Sequence, residues 1–184
     1  MRILLDMDDV LEELLPAWCD VLNSRYGTSV NPDSITKWDM TENFPSLSAK
    51  EIYNPLLEPD FWDCVKPAPG AVDSVKKLQE QGHDVYVVTA SHLRTIAPKM
   101  ERVLFRHFPT LTWDHVVVTQ NKQLLHGDIL VDDAPHNLVG GMYMGFLYSR
   151  PHNRLYDAPA NGLYRVESWD DIMCAVEYIS HYRR

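Results

Sequence analysis

Five short apolar runs, several of them rich in β-branched residues, are separated by segments of helical periodicity, and this alternation limits the folds open to the chain. The runs lie at residues 3–7, 84–90, 115–119, 129–133 and 144–149. Near-continuous apolarity is typical of strands that are covered on both faces. The sequence therefore predicts an α/β fold of the Rossmann-like kind, in which helices flank a parallel sheet.

Three segments have the spacing of amphipathic helices. Residues 71–82 place apolar side chains on one face and end at Gly82, a residue suited to the left-handed position that follows a helix. Residues 93–108 and 169–182 repeat the apolar spacing. Each segment predicts a helix that packs one face on the sheet.

The alternation is broken between residues 16 and 69, where the chain is mostly helical and rich in aromatic residues. Ligands of such sheets bind beyond the carboxyl ends of the strands. An insertion that leaves from the first strand would lie over that crevice. We therefore expect a small α-helical cap at 16–69 and a core made of 1–15 and 70–184.

The charge and the apolar content exclude two classes of partner. The formal net charge is −9, and the longest basic run is the pair Arg183 and Arg184. A nucleic-acid polymer needs clustered basic residues for its phosphates, so none is expected as a partner. No apolar stretch approaches the roughly 18 residues of a membrane helix, so no membrane partner is expected either.

The chain shows no secretory signal at its start, which predicts a cytoplasmic protein. Three cysteines are far apart and have no metal-binding spacing, so we interpret them as reduced packing residues: Cys19, Cys64 and Cys174. The sequence leaves the oligomeric state open, and a homodimer is one of the states that it allows. An anionic small molecule remains compatible with the charge if the site supplies local positive charge.

Two pairs of carboxylates fall at the ends of predicted strands. Asp6 and Asp8 end the first run, and Asp132 and Asp133 end the run "ILV". Like charges packed together need a compensating cation or a shared proton, and hard oxygen ligands suit Mg²⁺. The sequence therefore predicts a magnesium site at this edge of the sheet.

Two further polar residues are expected at the same edge. Thr89 ends the run "VVTAS" and offers a hydroxyl, with backbone N–H groups following it, and Lys122 follows "VVVT". Carboxylates, a hydroxyl, a lysine and a metal are what phosphoryl transfer requires. In that chemistry Asp6 can form an aspartyl-phosphate, and Asp8 can act as general acid and base.

Four motifs in order carry a family resemblance: "DMDDV", "VVTAS", "QNK" and "LVDD". They resemble the motifs of the haloacid dehalogenase (HAD) superfamily of phosphatases. With "DFWDCVKPAPGAV", "DILVDDAPHN", "RPHNR" and "ESWDDI", nearly the whole chain resembles the 5'(3')-deoxyribonucleotidases of the cytosolic type C family.

The resemblance implies a Mg²⁺-dependent phosphatase of nucleoside monophosphates, with pyrimidine deoxyribonucleotides favoured. It implies that Asp6 is the nucleophile and a metal ligand, and that Asp8 is the acid/base with its backbone carbonyl on the metal. Asp132 and Asp133 would complete the metal shell, and which of the two binds directly stays open. The same core acting on a sugar phosphate, or a non-catalytic nucleotide-binding module, are the alternatives.

The resemblance also assigns the substrate contacts. Thr89, with the adjoining Ala90 and Ser91, would bind the phosphate, and Lys122 would steady the phosphoryl group. Aromatic residues of the cap would stack on the nucleobase; in order of preference they are Phe61 and Trp62, then Trp38 and Phe44. The alternative is that these aromatics form the core of the cap.

The chain departs from the family pattern in two places. Asp9 stands where many relatives have glycine, which adds charge and a Cβ near the reacting group. Ala90 lacks a hydroxyl that some relatives offer, and Ser91 or the backbone amide can replace it. Arg150 and Arg154 can assist an anion, although a solvated loop is the simpler interpretation. Three histidines are left unassigned: His92, His136 and His152.

Overall fold

The computed structural model describes residues 1–182. Their six strands form one sheet in which every neighbouring pair of strands is parallel. The strands are β1 Arg2–Leu5, β2 Asp84–Thr89, β3 Val116–Val118, β4 His126–Asp132, β5 Met142–Tyr148 and β6 Tyr164–Val166. Their order across the sheet is β3-β2-β1-β4-β5-β6. The predicted parallel α/β sheet is confirmed.

The edge strand β6 was not predicted from the sequence. It has three residues, and Tyr164 at its start is 57% exposed, so the segment lacks the continuous apolar run of a covered strand. β4 also begins three residues earlier than the predicted run, at His126. Its first residues are polar, and the pairing with β5 shifts register between His126 and Ile129.

Eight α-helices surround the sheet or form the insertion in the described part of the chain. They are α1 Leu14–Tyr26, α2 Met40–Asn43, α3 Ala49–Tyr53, α4 Ala71–Glu80, α5 Leu93–Lys99, α6 Phe105–His107, α7 Pro135–Leu138 and α8 Trp169–Tyr182. A π-helical turn, Met100–Leu104, joins α5 to α6. The helix predicted over 93–108 is therefore three consecutive helical segments.

The insertion leaves and re-enters the core through two chain segments that run side by side. The backbone N–H of Glu13 donates to the carbonyl of Lys66, and that of Ala68 donates to the carbonyl of Leu11, both at 2.9 Å. Between these stems lie α1 to α3 and the 3₁₀ turns Pro32–Ser34, Asn54–Leu57 and Pro59–Asp63.

One hydrophobic cluster runs from the sheet into the insertion. Ile3 and Val85 of the sheet and Trp18 and Ile52 of the insertion all belong to it. The insertion therefore packs on the core continuously, and the division into a core and a cap stays a prediction. Within residues 1–182, no helix combines the length and apolarity needed to span a membrane.

The centre of the sheet decides where the strand ends meet. Leu5 of β1 pairs with Val131 of β4, and the N–H of Asp6 donates to the carbonyl of Val131 at 2.9 Å. Leu5 also pairs with Val87 of β2. Residues that follow β1, β2 and β4 therefore lie side by side at one edge of the sheet.

Candidate active site

Three buried carboxylates converge at the carboxyl edge of β1 and β4. One oxygen from each of Asp6, Asp132 and Asp133 lies within 4.8 Å of the others. Asp6 is 7% exposed, Asp133 is 4% exposed and Asp132 is fully buried. The parallel register produces this arrangement, since the residue after Leu5 and the residue after Val131 emerge next to each other.

Lys122 supplies positive charge to this group. Its side chain is 1% exposed, and Nζ lies 2.5 Å from Oδ1 of Asp6 and 2.7 Å from Oδ2 of Asp132. Burial alone would lower the pKa of Lys122, but the two carboxylates raise it above its ordinary value. Lys122 is therefore a charged lysine at neutral pH, and it holds two of the three carboxylates together.

The donors around Asp132 occupy both of its oxygens. The N–H of Ala134 donates to Oδ1 at 2.8 Å, and the Asn137 amide lies 3.2 and 3.1 Å from the two oxygens. Asp133 has a different environment, since Nε2 of His152 lies 3.1 Å from its Oδ2. The carboxylate oxygens of Asp6 and Asp133 therefore have more lone pairs free to bind a cation than those of Asp132.

The electrostatics of the site favour a bound cation. Burial raises the pKa of Asp6 well above its ordinary value; Lys122 opposes this rise, and the neighbouring carboxylates add to it. Burial and Asp132 likewise raise the pKa of Asp133. A divalent cation would stabilise the ionised forms, and an all-oxygen donor set fits hard cations such as Mg²⁺. The residues present therefore fit a divalent metal site.

Asp8 lines the same cavity as Asp6 and is held by a second buried lysine. Nζ of Lys99 lies 2.6 and 2.7 Å from the two carboxylate oxygens of Asp8. It also lies 3.0 Å from the hydroxyl of Thr89 and 2.9 Å from that of Ser91. The two hydroxyls are 2.9 Å apart. Thr89 and Ser91 therefore belong to one hydrogen-bonded group with Asp8.

Lys99 was missed from the sequence. It is 1% exposed and stands on the apolar face of its helix, between Ile96 and Val103 at helical spacing. A lysine on an apolar face was the available signal, because a buried lysine requires an anionic or polar partner. The partner, Asp8, is 91 residues away in the chain.

Glu12 was also missed. Its side chain is fully buried and is hydrogen-bonded to the side chain of Asp8. Its backbone forms a bridge with Asp8. Burial, and then the charge of Asp8, raise the pKa of Glu12 well above its ordinary value. Glu12 is therefore a neutral carboxyl group next to the acid/base candidate.

Asp9 takes the backbone conformation that favours glycine. Its φ is +55°, a region that Asp adopts more readily than most residues. Its carboxylate accepts the N–H of Leu15 at 3.0 Å, and its carbonyl accepts Nε of Arg150 at 2.6 Å. Burial, with the charge of Asp133, raises the pKa of Asp9 to about 7. Asp9 therefore anchors α1 and Arg150, although it also lines the site.

The two arginines of "RPHNR", expected to lie in a solvated loop, have different environments in the structure. Arg150 is half-buried and stacks over the ring of Tyr148 at 4.8 Å, besides its bond to Asp9. Arg154 is exposed, and its guanidinium lies 3.8 Å from the carboxylate of Asp33 in the insertion. The expectation was therefore wrong for Arg150, whose guanidinium has partners inside the protein.

Two neighbouring cavities share part of their lining, which is formed by Asp8, Leu14 and Ala90. The first has a volume of about 450 Å³ and contains Asp6, Lys122 and Asp133. Polar Gln120 and Lys37 lie on its wall. The second has a volume of about 510 Å³ and is lined by Lys99, Trp62, Arg94 and other residues of α5 and the insertion.

The four predicted base-stacking aromatics lie in different places. Trp38 lines the first cavity and is 61% exposed, and its ring meets those of His136 and His152 edge-on, at 5.6 and 5.0 Å between centroids. Trp62 is 2% exposed and lines the second cavity.

Phe61 and Phe44 are 4% and 1% exposed and belong to the hydrophobic core. Within residues 1–182, neither is part of the lining of the two cavities that contain Asp8. Trp18, which the sequence did not single out, does line the first cavity. The structure therefore brings Trp38 and Trp62 to the site and leaves Phe44 and Phe61 away from it.

Comparison with known proteins agrees with this geometry. Residues 1–179 match the family described as 5' nucleotidase, deoxy (pyrimidine), cytosolic type C. The 5'(3')-deoxyribonucleotidase of Bacillus subtilis is 30% identical over 172 residues, which are 92% of this chain and 95% of the relative. A protein of the same name from Clostridium acetobutylicum is 26% identical over 178 residues, covering 97% and 96% of the two chains.

Solved structures share the fold. A HAD family hydrolase from Deinococcus radiodurans superposes with a TM-score of 0.63 at 16% identity, covering 95% of this chain and 94% of that one. A predicted phosphoglycolate phosphatase from Haemophilus somnus superposes with a TM-score of 0.61 at 13% identity, covering 95% and 97%. The sheet and its flanking helices thus form a HAD-type core.

Proposed function

The chain belongs to the 5' nucleotidase, deoxy (pyrimidine), cytosolic type C family, and from this premise we propose that it hydrolyses nucleoside monophosphates, pyrimidine deoxyribonucleotides in particular, with Mg²⁺. As a member of this family of HAD hydrolases it is a phosphoric monoester hydrolase. The observation that carries the finer proposal is the meeting of Asp6, Lys122 and Asp133 in a cavity that also exposes Trp38. We also propose a cytoplasmic location, which the three free cysteines support.

Asp6 and Asp133, with the backbone carbonyl of Asp8, are the proposed metal ligands. Asp132 is proposed to organise the site, because Lys122, Ala134 and Asn137 already occupy its oxygens. When bound, the cation supplies positive charge to the phosphate oxygens and helps to orient the phosphoryl group.

Asp6 is the proposed nucleophile. Lys122 contacts it at Oδ1, which leaves Oδ2 to attack phosphorus. The new Oδ2–P bond forms as the bond from phosphorus to the nucleoside oxygen breaks, and the leaving oxygen takes the electron pair. Water then attacks the aspartyl-phosphate and releases Asp6 and inorganic phosphate. Lys122 stays beside the phosphoryl group through both steps and balances its charge.

Asp8 is the proposed acid and base. Its side chain is 34% exposed, and it lies on both cavities, so a leaving oxygen can reach it. It protonates the leaving nucleoside oxygen and later accepts a proton from the attacking water. Burial would raise the pKa of Asp8, but Lys99 and hydrogen bonds hold it below its ordinary value. A phosphomonoester monoanion can bring the proton that Asp8 passes on.

The substrate contacts follow from the same arrangement. Thr89 ends β2, and Ala90 and Ser91 follow it. All three are proposed to bind the phosphate through hydroxyl and backbone N–H groups. Trp38 is proposed to stack on the nucleobase, since its ring is exposed on the wall of the first cavity. Trp62 is proposed to bound the second cavity. Residues 16–69 are proposed to act as a cap.

A substrate panel tests this proposal. Purified protein is mixed with 5'- and 3'-nucleotides of each base, deoxy and ribo, and with sugar phosphates, in Mg²⁺ or in a chelator, and phosphate release is measured. We expect release from nucleotides that requires Mg²⁺ and is fastest with pyrimidine deoxyribonucleotides. Equal rates on sugar phosphates would favour a general phosphatase, and no release from any nucleotide would refute the proposal.

Two variants connect the activity to the site. Asp6→Asn should reduce kcat by at least about a thousandfold, because the covalent step loses its nucleophile. Asp20→Asn is the matched control, since Asp20 is exposed on α1 and lies outside both cavities that contain Asp8. Nucleotide binding that persists in Asp6→Asn, together with an inactive wild type, would point to a non-catalytic binding module.

A further inference from the structure

Lys99 lies at a deformed point of its helix. It is the last residue of α5, and the next five residues form the π-helical turn Met100–Leu104. π-helical turns are rare and occur frequently at functional sites. Pro98, the residue before Lys99, lies inside α5. The helix therefore departs from regular geometry where it delivers this lysine to the reacting centre.

The contacts of Lys99 use all of its donors. An ammonium group has three N–H bonds, and Nζ has three acceptor groups within 3.0 Å: the Asp8 carboxylate, Thr89 Oγ1 and Ser91 Oγ. The ring of Trp62 lies 5.7 Å from Nζ, so an aromatic side chain stands on one side of the ammonium. No N–H of Lys99 is left over for a phosphate oxygen in this arrangement.

The site thus contains two buried lysines with different partners. Lys122 bonds to Asp6 and Asp132, whereas Lys99 bonds to Asp8. Each of the two carboxylates that react in the proposed mechanism has its own buried lysine. Lys122 lines the cavity that contains Asp6, whereas Lys99 lines the second cavity.

We propose that Lys99 is a positioning residue for the acid/base Asp8, and that it acts through Asp8 rather than by binding phosphate. This inference rests on the proposed function, in which Asp8 protonates the leaving oxygen. Lys99, which the hydroxyls of Thr89 and Ser91 hold in place, fixes the Asp8 carboxyl so that it faces the leaving oxygen as the P–O bond breaks and the Asp6–P bond forms. Alignment of this kind accounts for a large part of the rate acceleration that general acid catalysis provides.

Leaving-group dependence distinguishes this role from a phosphate contact. A nucleoside alkoxide needs a proton as it leaves, whereas the nitrophenolate of p-nitrophenyl phosphate leaves without one. Both substrates have the same phosphoryl group. Loss of a group that acts through the acid should therefore slow the nucleotide reaction and spare the aryl phosphate, while loss of a phosphate ligand should slow both.

The experiment measures kcat/KM on deoxyuridine monophosphate and on p-nitrophenyl phosphate for wild type and Lys99→Met. We expect a fall of about 10- to 100-fold on the nucleotide and of less than about 3-fold on the aryl phosphate. Asp8→Asn should show the same selective loss. Lys76→Met is the control, since Lys76 is exposed and pairs with Glu80 on α4; it should leave both values unchanged.

Other outcomes would overturn the inference or the proposed function separately. Equal losses on both substrates, no loss, or a gain on the nucleotide in Lys99→Met would overturn the positioning role while Asp8→Asn still shows selective loss. A wild type inactive on both substrates would refute the proposed function instead. If Lys99→Met does not fold, Lys99→Gln decides, since its amide can still donate to Asp8; it should show the same selectivity with a smaller loss.

Discussion

Glu12 is a fully buried carboxyl group whose side chain is hydrogen-bonded to that of Asp8, and its replacement by glutamine should stabilise the protein at neutral pH. Burial raises the pKa of Glu12 in the folded state. In the unfolded chain Glu12 has the ordinary glutamate pKa of about 4.3 and releases its proton near that pH. Above that pH the folded state holds a proton that the unfolded state has lost, so stability falls as pH rises.

The size of the effect follows from proton linkage. One proton bound only in the folded state changes the free energy of unfolding by about 1.4 kcal/mol per pH unit. From about pH 4.5 up to the raised pKa of Glu12 in the folded state, wild type should lose stability relative to Glu12→Gln at about this rate. Glutamine has the same shape and no proton to lose. For a chain of this size, each pH unit corresponds to a shift in Tm of about 3–6 °C.

Thermal and urea melts of both proteins across this pH range, with a chelator present, measure the effect. The two stabilities should converge near pH 4 and diverge as pH rises, with Glu12→Gln the more stable. Glu13→Gln is the neighbouring control, since Glu13 is half-buried and has no place in the cluster around Asp8. Equal pH slopes for wild type and Glu12→Gln would refute the assignment of a neutral buried carboxyl.

Four further predictions concern the metal, the base and the backbone. Asp133→Asn should weaken Mg²⁺ binding more than tenfold in calorimetry, whereas Asp132→Asn should mainly lower Tm; equal losses of affinity would contradict the division of roles. Because the pKa of Asp133 is raised without metal, Mg²⁺ affinity should increase with pH, and binding should release protons in calorimetry run in two buffers; a pH-independent affinity would contradict this. Trp38→Ala should raise KM for nucleotides about 5- to 100-fold, the equivalent of one stacked base, and leave a non-aromatic sugar phosphate unaffected; an equal rise for both would remove Trp38 from the base site. Asp9→Ala should be about 1–2 kcal/mol less stable than Asp9→Gly, because alanine is strained at positive φ, and equal urea midpoints would count against that conformation.

The sheet was predictable because its strands are covered on both faces and therefore appear as apolar runs. The position of Asp6 and Asp132 followed from the same pattern, since residues after parallel strands emerge at one edge. The existence of β6 and its position at the edge of the sheet could not be predicted. Its three residues include the exposed Tyr164, and an edge strand need not be apolar.

The contacts that depend on helix rotation and on loop packing could not be predicted. The partner of Lys99 is set by how α5 rests on the sheet, and the alternation of the sequence does not encode that angle. The insertion consists of short helices and 3₁₀ turns, so no periodicity indicates which aromatic faces the cavity. The motif favours Phe61 and Trp62, whereas the ring exposed on the cavity that contains Asp6 is that of Trp38.

The central claim is that Asp6 attacks phosphorus while Asp6 and Asp133 share one divalent cation. A crystal structure of the protein with Mg²⁺ and beryllofluoride tests it most directly, because beryllofluoride imitates the phosphoryl group on a carboxylate. The account predicts beryllium bonded to Oδ2 of Asp6, Mg²⁺ coordinated by Asp6 and Asp133, and Lys122 beside the fluorides. Beryllium bonded to a different residue, or Mg²⁺ bound away from Asp6, would contradict it.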